Sequence, residues 1–198
     1  MYVAIAVALA TWYNYTRIEG GVTLNENRLQ EITEDVLKFK MPRYEELPRI
    51  QLYLEQIIDE VVFILKPILG SNGEDDDKWI TRTMVGNYVK QGIIPRPTGK
   101  KYSKEHIAYL VYISIAKQIL SMEEIRRLVE IQRNAYPIDK AYDYLCSEFE
   151  NALYEIFKRE RLCPPSYKTS DVEANVFRST VLAVAFSIYT RKMLEIYE

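Results

Sequence analysis

The sequence predicts a mainly α-helical protein. Apolar residues recur at helical spacing through most of the chain, helix-capping patterns precede two of those stretches, and glycine and proline are scarce, at 7 and 8 of 198 residues. Hydrophobic residues make up 48% and charged residues 27%, a balance that supports a real core and argues against long disordered tracts. A chain of this length suits one compact unit or two closely packed ones.

The first stretch, Met1 to Trp12, is apolar. It lacks the basic start and small-residue cleavage site of a secretion signal, and a dozen residues fall short of the roughly 20 needed to cross a bilayer. We read it as a strand or helix packed on the body, or as translation from upstream of the true start. Residues 27–40 place Leu29, Ile32, Val36 and Phe39 on one helical face, and Met41-Pro42 and Leu47-Pro48 then punctuate the chain. Residues 49–69 are dense in Ile, Leu and Val, which predicts a largely buried helix closed by Pro67 and Gly70. The acidic run 71–77 reads as a solvated loop that favours the start of the next helix, because it lacks the spaced ligands and turn glycine of a calcium loop.

Further along, Ser103 is placed to cap a helix reaching about Leu120 that is apolar on most faces. Ser121-Met122-Glu123-Glu124 has the pattern of a capping box and opens a helix with Ile125, Leu128, Val129 and Gln132 on one side, fading near Tyr136-Pro137. Two more helices are expected, from about Asp139 to Arg161 and from Ser170 onward, the latter opened by a second capping box, Ser170-Asp171-Val172-Glu173. The last of these is apolar on nearly every face between Val176 and Tyr189, so it is either enclosed by its own chain or shared with a second copy.

A formal net charge of −2 conceals an uneven distribution. From Lys78 to Lys104 there are seven basic residues and no Asp or Glu, leaving 19 of the 26 basic residues against all 28 acidic ones elsewhere. Such asymmetry marks a local surface for a polyanion. On a helical wheel, Met84, Val85, Tyr88 and Val89 gather within roughly 140° of arc, and Arg82, Thr83, Gly86, Asn87 and Lys90 take the other side. Arg and Asn can pair in bidentate fashion with guanine and adenine edges, and Lys and Thr suit phosphates. Gly86 costs about 1 kcal/mol relative to Ala inside a helix, and close approach of the backbone to a partner is one reason to retain it. Gly92 is placed as a left-handed C-cap with Ile93 as its apolar contact. Residues 94–102 then read as a short turn or two-stranded wing, with Gly99 at a basic tip. A polar, basic helix followed at once by a basic wing is the layout of a winged helix-turn-helix, so Arg82, Thr83, Asn87 and Lys90 are expected in a DNA groove. Arg96, Lys100 and Lys101 are expected on phosphates, with Tyr102 counted among the DNA-binding residues.

The string TRTMVGNYVKQGIIPRPTGKKYSKEHIAYL, followed by SMEEIRRLVE, resembles the DNA-binding head of MerR-type regulators over about residues 79–130. The matching positions are Tyr88, Gly92, Ile93, Pro95, Tyr102, Ser103, Ser121, Glu124 and Ile125. Residues 40–197 as a whole resemble an uncharacterised bacterial family with such a head and a helical remainder. The resemblance implies transcriptional regulation through double-stranded DNA and a homodimer on pseudo-palindromic sites; the apolar last helix is an independent hint that the C-terminal helices form it. Two departures stand out: about ten residues separate Leu69 from Ile80 where a tight turn is usual, and the arginine usual before the wing tyrosine is Lys101, which loses the guanidinium fork.

The expected organisation is therefore an N-terminal segment of unassigned role (1–26), a helical region carrying the head (27–136, core 79–130) and a C-terminal helical region (137–198). An enzyme is not expected. His106, the one histidine, reads as a surface or capping residue, Glu45-Glu46 has no third group beside it, and no phosphate loop, nucleophile motif, metal cluster or cofactor site is evident. Cys146 and Cys163 read as reduced packing thiols, consistent with a cytoplasmic protein with no membrane role. Sixteen tyrosines finish a core or line an effector pocket. The alternative to DNA binding is a protein-interaction module that reuses the helix-turn-helix shape on an acidic partner.

Overall fold

A computed structural model describes residues 25–70, 78–158, 162, 164 and 172–196. The expectations for Met1–Trp12, for the 71–77 loop, for Cys163 and for the Ser170 capping box lie outside these residues. In chain order the helices are α1 (Glu26–Lys38), α2 (Leu54–Leu69), α3 (Arg82–Lys90), α4 (Lys104–Ala116), α5 (Met122–Ala135), α6 (Ile138–Lys158) and α7 (Val172–Leu194), with a single 3-10 turn at Tyr44–Glu46. The protein is mainly helical.

From Ile107 to Ala116 the sequence offers an apolar or small side chain, Tyr or Ser on every face, so no side of this stretch favours water. In the fold every residue of α4 from His106 to Ala116 is buried. The other elements are laid around it, and one continuous core takes residues from Ile32 to Ile196. Cys146 is a packing residue there, its Sγ lying 3.6 Å from the Pro42 carbonyl, and burial above all pushes its thiol up to about 12.

Helix α2 begins at Leu54, five residues later than the apolar density predicts. Leu52 is held extended by a reciprocal backbone pair with Tyr102, both bonds 2.8 Å, and it is buried at 8% between an exposed Gln51 and Tyr53 at 57%, as alternation about an extended residue requires. Pro67 does not end the helix but rides in its last turn. Its missing N–H forfeits only a bond to the carbonyl of Phe63, whose side chain is exposed, and Gly70 at φ +80° makes the actual stop. Helix α4 ends at Ala116 rather than Leu120, because Gln118 and Ile119 turn back to carbonyls three residues earlier.

Helices α6 and α7 run parallel. Tyr144 meets Phe177, Glu148 meets Arg178 at 2.8 Å and Phe157 meets Tyr189, so early residues face early and late face late. Val181, Val184, Ala185 and Ile188 are buried in α7, but Val176 and Phe186 are not, so this helix is only partly enclosed.

The punctuated stretch after α1 is anchored by one buried carboxylate. Glu150 of α6 accepts from the Met41 N–H at 2.9 Å, from both terminal nitrogens of Arg43 at 2.7 and 3.0 Å, and from Lys40 at 3.1 Å. Burial alone would raise its pKa, yet the hydrogen bonds from Arg43, Met41 and Lys40 hold it below the ordinary carboxylate range. A depressed folded value means that Glu150 stabilises fully above the ordinary glutamate range and that this contribution fades as pH falls through the depressed value. Glu150→Gln should cost about 3 kcal/mol in urea unfolding at neutral pH and flatten part of the acid limb of the stability profile.

Candidate nucleic-acid interface

The polar helix is built from local signals. Thr81 caps α3, its Oγ1 accepting from the Met84 N–H at 3.2 Å. Val85 and Tyr88 are buried, Met84 and Val89 are half-buried, and Arg82, Thr83, Gly86, Asn87 and Lys90 are exposed. A Cβ added at Gly86 would meet nothing within 4 Å, so packing within this fold does not require glycine there.

The C-terminal end of α3 closes in a Schellman motif. Gly92 takes φ +72°, its N–H donates to the Val89 carbonyl at 3.1 Å, and the Ile93 N–H reaches back to Tyr88 at 2.9 Å. Ile93 at 2% and Tyr88 at 5% exposure supply the apolar contact that accompanies the motif. Arg133, from α5, clamps this turn from outside. Its guanidinium donates to the carbonyls of Gly92 at 3.1 Å and Ile93 at 2.6 Å and to the Tyr109 hydroxyl at 3.3 Å, and it sits over the Tyr109 ring at 5.0 Å. The orientation of α3 is thereby tied to α4 and α5.

The segment after it is a tight turn. Thr98 and Lys101 exchange backbone bonds at 3.1 and 3.0 Å, and both residues between them are left-handed, Gly99 at φ +55° and Lys100 at φ +65°, the geometry of a two-residue hairpin loop. The short β wing expected at 94–102 is not a ribbon: the described residues contain no strand, only two single bridge pairs, Thr98 with Lys101 and Leu52 with Tyr102. Pro95 and Pro97 have no N–H to continue a ladder.

Arg96 and Lys100 are exposed at this turn, and Lys101 is half-buried, its ammonium 5.5 Å from the Tyr53 ring centre. Tyr102 departs from the surface set. It is 7% exposed, pairs with Leu52 and stands edge-on to His106 at 5.1 Å, so it packs. His106 is buried too and caps: its Nδ1 accepts from the Ser103 N–H at 3.0 Å, and burial lowers its pKa, keeping the imidazole neutral. Two cations of the basic segment already have carboxylates: Arg82 pairs with Glu55, and Lys104 with Glu45 at 2.8 Å while lying 4.3 Å from the Tyr44 ring centre. Exposed pairs of this kind are worth little and exchange readily.

The fold thus groups Arg82, Thr83, Asn87 and Lys90 on one face of a helix whose end leads directly into the turn bearing Arg96, Lys100 and Lys101. Arg133 and Glu55 were missed, and no local pattern marks either, since both act across the fold. Among the described residues no group of three or more His, Cys, Asp or Glu could hold a metal ion, and no helix is long and apolar enough to cross a membrane.

A family model described as a domain of unknown function, DUF1836, matches residues 42–145, just over half of the chain. No curated protein and no solved structure matches the chain.

Replacing Arg133 with Ala should cost about 1–3 kcal/mol, because two carbonyls of the helix-end turn lose their donors. Amide hydrogen exchange at Ile93 should quicken more than at Val111, and equal change at both would show that the clamp does not act on this turn.

Proposed function

We propose that this chain, which belongs to the DUF1836 family, binds double-stranded DNA in a sequence-specific way and regulates transcription as a MerR-like winged helix-turn-helix protein. The observation that carries the reading is the division of α3: a buried side locked at both ends by Thr81 and Arg133, and an outer side made of Arg82, Thr83, Gly86, Asn87 and Lys90. Such a helix presents base-reading side chains from a rigid mount, and the exposed Arg96 and Lys100 beside it suit flanking phosphates. Gly86 fits the same reading, because a bare backbone on an outer face allows close approach to the groove wall. Arg82 exchanges Glu55 for the duplex on binding.

A protein-interaction role is favoured by one observation, that a carboxylate, Glu55, already lies against the polar face. An acidic protein would extend that contact. The two readings part in one experiment.

Selection from a random duplex library, followed by fluorescence anisotropy, should give a site whose affinity falls with salt. Lys100→Ala with Lys101→Ala should weaken binding to every sequence and reduce the magnitude of the log–log salt slope by about two. Gly86→Ala should raise stability by about 1 kcal/mol while weakening duplex binding, an opposition that a merely tolerated glycine would not produce. Failure to bind any duplex at low salt, with recovery of a stoichiometric acidic protein in a pull-down, would sink the DNA reading.

The same reading expects a homodimer. Val172, Val176, Phe186 and Leu194 are exposed and fall within about 80° of arc along α7, an apolar stripe suited to a second copy. Light scattering on the full chain should give twice the protomer mass, and a monomer at micromolar concentration would remove the dimer.

A further inference from the structure

Where the N-terminal ends of α6 and α7 meet α5 there is a cavity of about 200 Å³, lined chiefly by Leu128, Ile131, Gln132, Ala141, Tyr144 and Phe177. A smaller space of about 10 Å³ adjoins it, shares Gln132, Ala141 and Phe177, and reaches Tyr112 of α4. Phe177 is sandwiched between two rings, stacked on Tyr112 at 4.9 Å and tilted toward Tyr144 at 5.8 Å.

Two side chains at this place keep an unused hydrogen-bonding atom among the described residues. The Tyr112 hydroxyl meets no hydrogen-bond partner among the described residues. Gln132 is 7% exposed, its Nε2 donates to the Tyr136 carbonyl at 2.9 Å, and its amide oxygen accepts nothing among them. The Gln132 oxygen, an acceptor left without a donor beside an aromatic-walled space, offers a hydrogen bond to a molecule that enters it. The mouth carries one charge of each sign, Lys140 and Glu173, which selects for no net charge. A cavity near 150 Å³ accommodates benzene, so this one has room for one or two fused rings.

We propose that this cavity binds a small, neutral, planar aromatic molecule of one or two rings bearing an N–H or O–H that donates to the Gln132 oxygen, and that occupancy is felt at α3. The route is short. Gln132 faces the cavity, and its neighbour Arg133 holds the Gly92 and Ile93 carbonyls at the end of α3. A ligand that shifts or stiffens this turn of α5 biases the helix end that Arg133 grips. The second half of the proposal becomes regulation of DNA binding only if α3 reads a duplex, and to that extent it rests on the proposed function.

The test titrates indole, with benzene for comparison, into the full-length protein followed by ¹H–¹⁵N NMR, with no DNA present. Saturable shifts are expected at the Gln132 side-chain amide and at the Gly92 and Ile93 amides, with indole binding about fivefold more tightly than benzene. Gln132→Leu should erase that preference and keep benzene binding. Ala141→Phe, with folding checked by circular dichroism, should abolish binding of both probes; if it unfolds, the Gln132→Leu comparison decides alone. Absence of saturable shifts at Gln132 with either probe overturns the site, and shifts at Gln132 without any at Gly92 and Ile93 overturn the coupling. Failure of the DNA reading would leave these outcomes unchanged and appear only in the anisotropy experiment.

Discussion

A helix with no water-facing side has to be surrounded, and α4 imposes that requirement on the rest of this protein. Burial from His106 to Ala116 removes ten or so side chains from solvent, which at about 1.5–3 kcal/mol for each large apolar one outweighs any single polar contact in the fold. The first half of α4 consequently holds the candidate site. Its N-terminus is set by Ser103 and His106 directly after the basic turn, and its flank receives Arg133 through Tyr109. The polar helix and the turn are therefore mounted on the most deeply embedded element in the fold.

Some of this was legible in the sequence, and the legible parts share a physical cause. Helices α3 and α5 lie at the surface, so burial alternates with a 3.6-residue period. The four residues expected on the inner side of α5, Ile125, Leu128, Val129 and Gln132, are the ones buried. Gly92 could be read as a left-handed cap because backbone sterics act locally. What escaped depends on contacts between distant positions. The late start of α2 follows from pairing of Leu52 with Tyr102, and the same pairing draws Tyr102 inward from the surface where its neighbours suggested it belonged. The end of α4 was overrun because apolar density continues past Ala116 although the backbone turns.

The candidate site divides in the same way. Which side chains of α3 face outward followed from periodicity, but how the helix is fixed did not, since Arg133 lies about forty positions away with nothing in its neighbourhood to mark it. Nor could charge counting show that Arg82 already holds Glu55. The partial occupation of the basic segment by the protein's own carboxylates means that its effective charge toward a polyanion is smaller than its residue count. Part of its positive charge is released only by exchange of those pairs.

The parallel course of α6 and α7 bears on how the molecule assembles. Two consecutive antiparallel helices can close by contacts near their shared loop, but here each pairing joins residues about thirty apart, as in Tyr144 with Phe177 and Phe157 with Tyr189. Among the described residues no short-range contact starts the pair, so chain-closure entropy has to be met before these pairings return any stabilisation. The α3 to α5 segment, whose caps and turns are local, can organise first and offer the surface on which the last helix docks. A nascent chain would then acquire its polar helix before α7 docks.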